Sequence, residues 1–215
     1  MTSTESDANI AESRRPPGAY GAEAEGALKA IYERRAVRAY TDQPVARDDV
    51  ERLLDAAIHA PSAVNSQPWA FVVIQEPGLL ARYAEEGRTL LQNEPPAVEL
   101  AHSGPTEIER FRQMAAGEDF KLFHGAPTLI VIYATSIHGV PDCFLAAENL
   151  MLAARAIGLA TCPIGLASPL FSQAHVKTEL QVPADWHVAL PIAVGWPVGE
   201  TAPIPRHPAK VVAWR

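Results

Sequence analysis

Two arginines spaced four residues apart, Arg34 and Arg38, are candidates for chemistry near the start of the chain. They lie in the run Arg-Arg-Ala-Val-Arg, which contains no carboxylate. If the preceding helix gives way to extended chain here, residues i, i+2 and i+4 share a face, so both guanidinium groups would point the same way. Charge-assisted hydrogen bonds from such a pair suit an anion such as a phosphate. A solvated basic helix end is the alternative interpretation of the same residues.

A second polar stretch, Ala60–Trp69, reads Ala-Pro-Ser-Ala-Val-Asn-Ser-Gln-Pro-Trp and follows an apolar-periodic helix. Its two prolines hold φ at about −65° and remove two backbone donors. Between them, Ser62, Asn65 and Gln67 supply side-chain donors and acceptors. The stretch is a candidate ligand-binding loop, although a rigid turn between a helix and a strand would have the same composition.

A third candidate is the run Thr-Cys-Pro-Ile-Gly that ends at Gly165. It has the character of a short strand that stops at a glycine, where backbone N–H groups become available to a ligand. Because strands often end in glycine, this run indicates a site only in combination with the other two regions.

Composition limits the classes of protein to which the chain can belong. Its 215 residues are 48% hydrophobic, enough for one well-cored domain, and the net charge of −7 argues against a nucleic-acid partner. No apolar run approaches the roughly 20 residues that cross a bilayer, and the polar, acidic N-terminus lacks the features of a secretory signal. Cys143 and Cys162 lack CxxC spacing and histidines at metal-ligand intervals. We therefore expect buried free thiols, no metal site and a cytoplasmic location.

Alternating helices and strands must position these candidate residues. Helical spacing of apolar residues begins at Gly26, after a polar tail of residues 1–25 that we expect to be disordered. Asp48 is expected to cap a second helix, and Gly158 to end a long helix that begins near Asp142. Shorter helices are predicted over Leu79–Tyr83, Glu107–Met114 and His175–Leu180. Apolar runs predict four strands, Phe71–Ile74, Thr128–Tyr133, Leu159–Ile164 and His187–Val194.

Two common nucleotide-binding signatures are missing from this alternation of elements. No strand is followed by Gly-x-Gly-x-x-Gly, and Gly-x-x-x-x-Gly-Lys-Ser/Thr does not occur. The sequence therefore predicts neither the usual Rossmann dinucleotide site nor a P-loop.

The three candidate regions, taken in order, resemble the nitroreductase family of FMN-dependent oxidoreductases from about Ile31 to the C-terminus. The most specific part is the arginine run followed by the stretch Ala60–Trp69. Supporting motifs are Asp142–Ala154, Gly158–Gly165, Ala193–Pro197 and Pro205–Pro208. The resemblance implies an α+β, nitroreductase-like fold, with a central, mostly antiparallel sheet flanked by helices, in an intertwined homodimer. It also implies an FMN-binding domain over residues 26–215, with a lid or insertion at about 85–120 and a C-terminal extension, 203–215, onto the partner subunit.

The resemblance assigns the phosphate and ring contacts residue by residue. Arg34 matches the position that holds the FMN phosphate, and Arg206 matches a second phosphate ligand. Arg38 matches the basic residue beside the pyrimidine side of the flavin ring. Ile164 and Gly165 match the backbone that lies against flavin N5.

The loop between the two prolines is assigned in the same way. Pro61, Ser62 and Ala63 match a segment that reaches the flavin from the other subunit, and Asn65 and Gln67 fall in the same motif. The remaining cofactor-binding positions in these motifs are Arg35, Ala36 and Pro163.

The implied activity needs no catalytic side chain, because FMN performs the hydride chemistry and Arg38 tunes it. We expect ping-pong transfer from NADH or NADPH through FMN N5 to a nitroaromatic, a quinone or a similar small acceptor. The alternatives are a specialised enzyme of the same fold (an azoline dehydrogenase, a dehalogenase or a flavin-fragmenting enzyme) and a non-catalytic flavin-binding protein. The seven histidines are scattered and are expected to be surface or satisfied residues.

Two positions depart from the family pattern. Members often have Ser where this chain has Ala36, which removes one hydrogen bond. Members that carry a Glu in the Pro-Ile segment use it near the nicotinamide, whereas Gly165 and Leu166 stand there in this chain. The identity of the electron donor is therefore left open by the sequence.

Overall fold

The computed structural model describes residues 22–93, 109, 113–117 and 119–215. They fall into two units, one ending at Glu33 and one beginning at Arg34. The first unit contains α1 (Ala22–Glu33), which begins at Ala22 rather than at Gly26, so the predicted tail of residues 1–25 is too long by the first turn of this helix. The rest of that tail and much of the predicted lid, including residues 94–108, lie outside the described residues.

A four-stranded antiparallel sheet forms the centre of the second unit, with strand order β1-β2-β4-β3. Its strands are β1 (Trp69–Ile74), β2 (Thr128–Ala134), β3 (Ala160–Pro163) and β4 (His187–Gly195). All four predicted strands are therefore present, with ends that agree to within two residues. The predicted α+β class and antiparallel sheet are confirmed.

The central strand β2 is buried on both faces of the sheet. Because successive side chains of a strand point to opposite faces, its residues divide between two apolar clusters. Leu129 and Tyr133 belong to one cluster, and Ile130 and Ile132 belong to the other. Burial of one such aliphatic side chain contributes about 1.5–3 kcal/mol, which explains why this run is apolar throughout rather than alternating.

Two helices, α2 (Arg47–Ile58) and α4 (Val140–Ala156), supply the second cluster. Asp48 is not the N-cap of α2, so that prediction is wrong: Ala46 holds the cap position, and no side chain caps the helix. Glu51, three residues after Asp48, accepts a 2.7 Å hydrogen bond from Arg47 rather than from the backbone at the helix start. Gly158 follows α4 with φ of 86°, so the predicted helix end is confirmed.

The first cluster is covered by α3 (Pro77–Asn93), α5 (Ser168–Phe171) and α6 (Ala174–Glu179). Helix α3 is much longer than the predicted Leu79–Tyr83. The predicted helix over Glu107–Met114 lies mostly outside the described residues.

The arginine run follows the end of α1 at Glu33 and continues as extended chain, which is the condition on which a shared face for Arg34 and Arg38 depends. Ala36 forms a parallel bridge with Thr161 of β3, and the Val37 N–H donates to the Thr161 carbonyl at 3.0 Å. Further along, the Thr41 N–H donates to the Trp196 carbonyl at 2.9 Å. The segment therefore lies along the β3 edge of the sheet.

Candidate functional site

A cleft of about 670 Å³ lies where β3 ends. Arg38, Pro163, Ile164 and Gly165 all line it, so the structure brings together two of the three regions that the sequence singled out. The bridge between Ala36 and β3 explains this, because it holds the arginine run beside the strand end. Within the described part of the chain, the exposed Arg38 side chain has no hydrogen-bond or ion-pair partner.

The backbone at the end of β3 lines this cleft and turns there. The Ile164 N–H donates to the Pro191 carbonyl at 2.8 Å, which keeps this residue attached to β4. A 3₁₀ turn over Gly165–Ala167 follows directly. Helical turns leave their first N–H groups without partners inside the turn, and Gly165 and Leu166 are its first two residues. These two residues also line the cleft, so the prediction of backbone N–H groups available to a ligand concerns this turn.

Lys121 and His124 also line the cleft, and sequence reasoning missed both. They belong to a tight turn in which the His124 N–H donates to the Lys121 carbonyl at 2.9 Å. His124 and Gly125 have φ of 55° and 74°, a left-handed pair for which glycine and, less strongly, histidine are suited. The dipeptide His-Gly is the sequence feature that could have drawn attention to these residues. It predicts a turn, but it does not predict that the turn lies beside a cleft.

Burial, and secondly the charge of Arg38, lower the pKa of His124. Burial also disfavours the charged form of the neighbouring Cys162 thiol and so raises its pKa, whereas the charge of Arg38 lowers it. Cys162 is 2% exposed and free, as predicted, and Cys143 is also a buried free thiol. The cleft is therefore lined by two cationic side chains, Arg38 and Lys121, and by a histidine that favours its neutral form.

Arg34 does not join Arg38 at the cleft. Its Nε donates to Oε1 of Glu148 on α4 at 3.2 Å, an ion pair between partly buried side chains. Arg35 donates from Nη1 to the Arg34 carbonyl at 2.8 Å, and Ala36 is engaged with β3. The run itself contains no carboxylate, but the fold supplies one to Arg34 from a distant helix.

The loop Pro61–Gln67 is exposed and tightly folded. Ala63–Asn65 form a 3₁₀ turn, and the Gln67 N–H donates to Oγ of Ser62 at 2.9 Å. Val64, Asn65 and Gln67 have φ of 49°, 56° and 46°, and such a cluster of left-handed non-glycine residues stores strain that commonly marks functional loops. Val64 is 99% exposed, although its side chain is apolar.

This loop is separate from the cleft within one chain. Among the described residues, none from Pro61 to Gln67 lines the cleft. The loop instead contacts the first turn of α4, where Oδ2 of Asp142 accepts a 3.1 Å hydrogen bond from the Ala63 N–H. The structure therefore places Ser62, Asn65 and Gln67 apart from Arg38 and Gly165.

Arg206 lies in a C-terminal segment in which every residue from Val198 onward is exposed. The segment begins beside the arginine run, where the Val198 N–H donates to the Ala39 carbonyl at 3.0 Å. Its apolar residues are uncovered in this chain, with Val212 91% and Trp214 90% exposed. Among the described helices, none combines the length and the apolar character needed to cross a bilayer.

Comparison with known proteins identifies the family. The nitrobenzene nitroreductase of Ectopseudomonas oleovorans is 29% identical over 197 residues, covering 77% of this chain and 84% of that protein. The NADH dehydrogenase of Thermus thermophilus is 28% identical over 209 residues, covering 88% and 96%. A crystal structure of a nitroreductase with bound FMN from Bacteroides fragilis has a TM-score of 0.70 at 25% identity, covering 88% of this chain and 97% of that one. The sequence model of the nitroreductase family matches residues 31–196, and the chain therefore belongs to the nitroreductase family.

Proposed function

We propose that this protein is an FMN-dependent oxidoreductase that takes hydride from NADH or NADPH and delivers it to a small acceptor such as a nitroaromatic or a quinone. The observation that carries the proposal is the unpartnered Arg38 beside the glycine turn at the end of β3, in a chain of this family. The FMN bound to the Bacteroides fragilis relative supports the choice of cofactor.

The cleft suits FMN in size and in chemistry. Its volume of about 670 Å³ lies within the range of about 300–1,000 Å³ that is usual for small-molecule sites. Phe120, Ile164 and Leu166 supply apolar surface for a planar ring. Arg38 supplies a cation whose charge no described carboxylate neutralises. When bound, FMN supplies the centre that accepts and donates hydride.

Arg38 acts through a charge that it keeps at every physiological pH, since guanidinium does not lose its proton. A fixed cation favours the more negative oxidation state of any ligand beside it, so Arg38 raises the reduction potential of the site. The backbone of Ile164 and Gly165 is proposed to orient the ring. Donor and acceptor would share this one cleft and must therefore alternate, which is the basis for a ping-pong sequence.

Arg34 and Arg206 are proposed as phosphate ligands. Arg34 uses Nε for Glu148, and a guanidinium has two further nitrogens that can donate to a phosphate. Arg206 stands on an exposed segment. We infer a homodimer, because the strained loop at Pro61–Gln67 and the apolar C-terminal segment are both uncovered in one chain, and a second copy would let each reach the other chain's cleft.

Spectroscopy of the purified, FMN-loaded protein tests the proposal. We expect a flavin spectrum that bleaches when NADH or NADPH is added without oxygen and returns when nitrobenzene or a quinone follows. Bound FMN that neither nicotinamide cofactor reduces would exclude this activity and favour the non-catalytic flavin-binding alternative. A protein that cannot be loaded with FMN would exclude the proposal altogether.

Two variants separate the roles of the arginines. Arg34→Ala should weaken FMN binding by about tenfold, on the order of 1.5 kcal/mol, without weakening the binding of riboflavin, which lacks the phosphate. Arg38→Gln should lower the potential of bound FMN by about 20–30 mV, since 30 mV corresponds to about 1.4 kcal/mol for a two-electron couple. Arg38→Lys keeps the charge and is the matched control. Equal potentials in the wild-type protein and Arg38→Gln would exclude the tuning role.

A further inference from the structure

Basic side chains outnumber acidic ones around the cleft, although the chain as a whole has a net charge of −7. Arg38, Lys121 and His124 line it, whereas Asp119 is the carboxylate among the described lining residues. Within the described ranges, no ion pair or hydrogen bond engages the side chains of these three basic residues. A cleft lined mainly by one sign of charge concentrates ligands of the opposite sign.

The neighbouring cavity shows that this excess is local. A second cavity of about 770 Å³ shares Phe120 and Lys121 with the cleft, so these two residues form the wall between them. Two basic residues, Arg88 and Lys121, and two acidic residues, Asp42 and Glu85, line this second cavity, so their charges cancel. Arg88 is also engaged, because its Nε donates to the Ala115 carbonyl at 2.9 Å. The uncompensated positive charge therefore belongs to the cleft at the end of β3.

Lys121 and His124 are carried on one turn, which fixes their spacing. The backbone hydrogen bond from His124 to Lys121 closes this turn, and the left-handed φ of His124 and Gly125 sets its direction. A second bond, from the Ala126 N–H to the Phe123 carbonyl at 3.0 Å, joins the turn to the start of β2. A turn anchored in this way holds the two backbone positions at a fixed spacing, so both side chains extend from defined points beside the cleft.

We propose that Lys121 and His124 form an anion-recognition subsite in the cleft, which favours acceptors that carry a carboxylate beside the reducible group. This inference rests on the proposed function, in which Arg38 serves the cofactor and leaves the other two basic groups for the second ligand. Lys121 supplies an ammonium group, and His124 supplies a ring N–H that can donate a hydrogen bond to a carboxylate. A bound carboxylate also favours the protonated imidazole, which adds a second charge.

Matched ligands test the subsite in the FMN-loaded protein. The acceptor 4-nitrobenzoate carries the carboxylate, and 4-nitrobenzamide is a neutral compound of nearly the same shape. Benzoate and benzamide, which cannot be reduced, give a binding constant without turnover through the change in the flavin absorbance. Any intrinsic difference between the two acceptors is the same for every variant, so it cancels when their kcat/KM ratio is compared between variants.

The variants are Lys121→Gln and His124→Asn, since asparagine tolerates a left-handed φ. Each should reduce the preference for 4-nitrobenzoate over 4-nitrobenzamide by about two- to fivefold, the upper part of the range for exposed charge pairs. The change should appear in KM rather than in kcat. Benzoate affinity should fall by the same factor and benzamide affinity should not change. The preference of the wild-type protein should also weaken as salt is added. Arg52→Gln is the control, because it removes one positive charge from an exposed pair on α2.

Three results would overturn the subsite. The first is an unchanged preference in both variants. The second is a loss of FMN affinity without a loss of riboflavin affinity or of preference, which would assign the cations to the cofactor phosphate. The third is a raised KM for NADH with an unchanged preference, which would assign them to the phosphates of the donor. All three are measured on protein that binds FMN and turns over, so they are distinct from failure of the proposed function.

Discussion

Oδ2 of Asp142 lies 3.1 Å from the backbone nitrogen of Ala63 and accepts its hydrogen bond, joining residues that are 79 positions apart in the sequence. Asp142 lies in the first turn of α4, and Ala63 begins the 3₁₀ turn of the strained loop. Gly139 packs against the end of the same loop, since a Cβ there would lie 2.5 Å from Cβ of Pro68. The residues at the start of α4 therefore hold the loop in its conformation within a single chain.

We expect Asp142→Ala to release the Ala63 N–H. The variant should lose about 0.5–1 kcal/mol of unfolding free energy, the net value of one such hydrogen bond, and the Ala63 amide should exchange with solvent faster. Chemical denaturation and hydrogen exchange measure the two effects. Asp142→Asn is the control for the charge at the helix N-terminus, because it loses the charge and keeps an oxygen acceptor. Equal exchange of Ala63 in Asp142→Ala and in the wild-type protein would contradict this role.

Local patterns in the sequence predicted the sheet better than they predicted the site. The run over β2 is apolar and β-branched because both faces of the strand are buried, and that cause acts within a few residues. Arg38 and Gly165 could be proposed together only through resemblance to a family, since the contact that unites them is the bridge from Ala36 to Thr161.

Two of the missed features depend on contacts between distant segments. The ion pair from Arg34 to Glu148 spans 114 positions, and no local pattern specifies it. His124 reads as one of seven scattered histidines until the fold places its turn against the end of β3. Asp48 was a plausible cap by spacing, but Ala46 holds the cap position in the structure.

The structure gives a physical reason for Gly195, which belongs to the motif Ala193–Pro197. In the sequence this motif was supported only by its resemblance to the family. A Cβ at this residue would lie 2.7 Å from Cδ of Pro127 and 2.9 Å from Cδ1 of Tyr40. The hydroxyl of Tyr40 donates to the Val37 carbonyl at 2.7 Å, so this ring supports the segment that carries Arg38. Glycine is therefore needed at the end of β4 to leave room for that support.

We expect Gly195→Ala to destabilise the protein by about 1–3 kcal/mol, because the rigid proline ring and the buried tyrosine cannot both move aside. It should also weaken FMN binding, since Arg38 would be displaced. Gly78→Ala is the matched control: its Cβ would meet nothing closer than 3.9 Å, and alanine favours the first turn of α3. Denaturation and FMN titration measure both variants, and equal stability of the two would contradict the crowding argument.

The lowered pKa of His124 predicts a pH dependence of stability. Between its folded pKa and the unfolded value of about 6.5, the unfolded chain binds more protons than the folded one, so the free energy of unfolding falls as the pH falls. His124→Asn removes this contribution. Denaturation from about pH 7.5 down to about pH 5 should therefore destabilise the wild-type protein more than the variant. Parallel curves for the two proteins over this interval would show that His124 does not titrate in this way.

The role of the exposed C-terminal segment in dimerisation and FMN binding can be tested without destabilising the folded chain. Every residue from Val198 onward is exposed, so removing residues 205–215 should leave the unfolding free energy of a single chain unchanged. We nevertheless expect the truncated protein to be monomeric by light scattering and to lose FMN on dialysis, because it lacks both an apolar surface and Arg206.

Two variants without the truncation separate the contribution of the apolar surface from that of Arg206. Val212→Ser combined with Trp214→Ser removes two side chains that are 91% and 90% exposed, and it should dissociate the proposed homodimer at low protein concentration. Arg206→Ala should leave a dimer that binds FMN about tenfold more weakly and riboflavin equally well. If the double variant remains a dimer as tight as the wild-type protein, the segment does not cover a second copy. The exposed Phe144 and Leu145 of α4 are then the next surface to test.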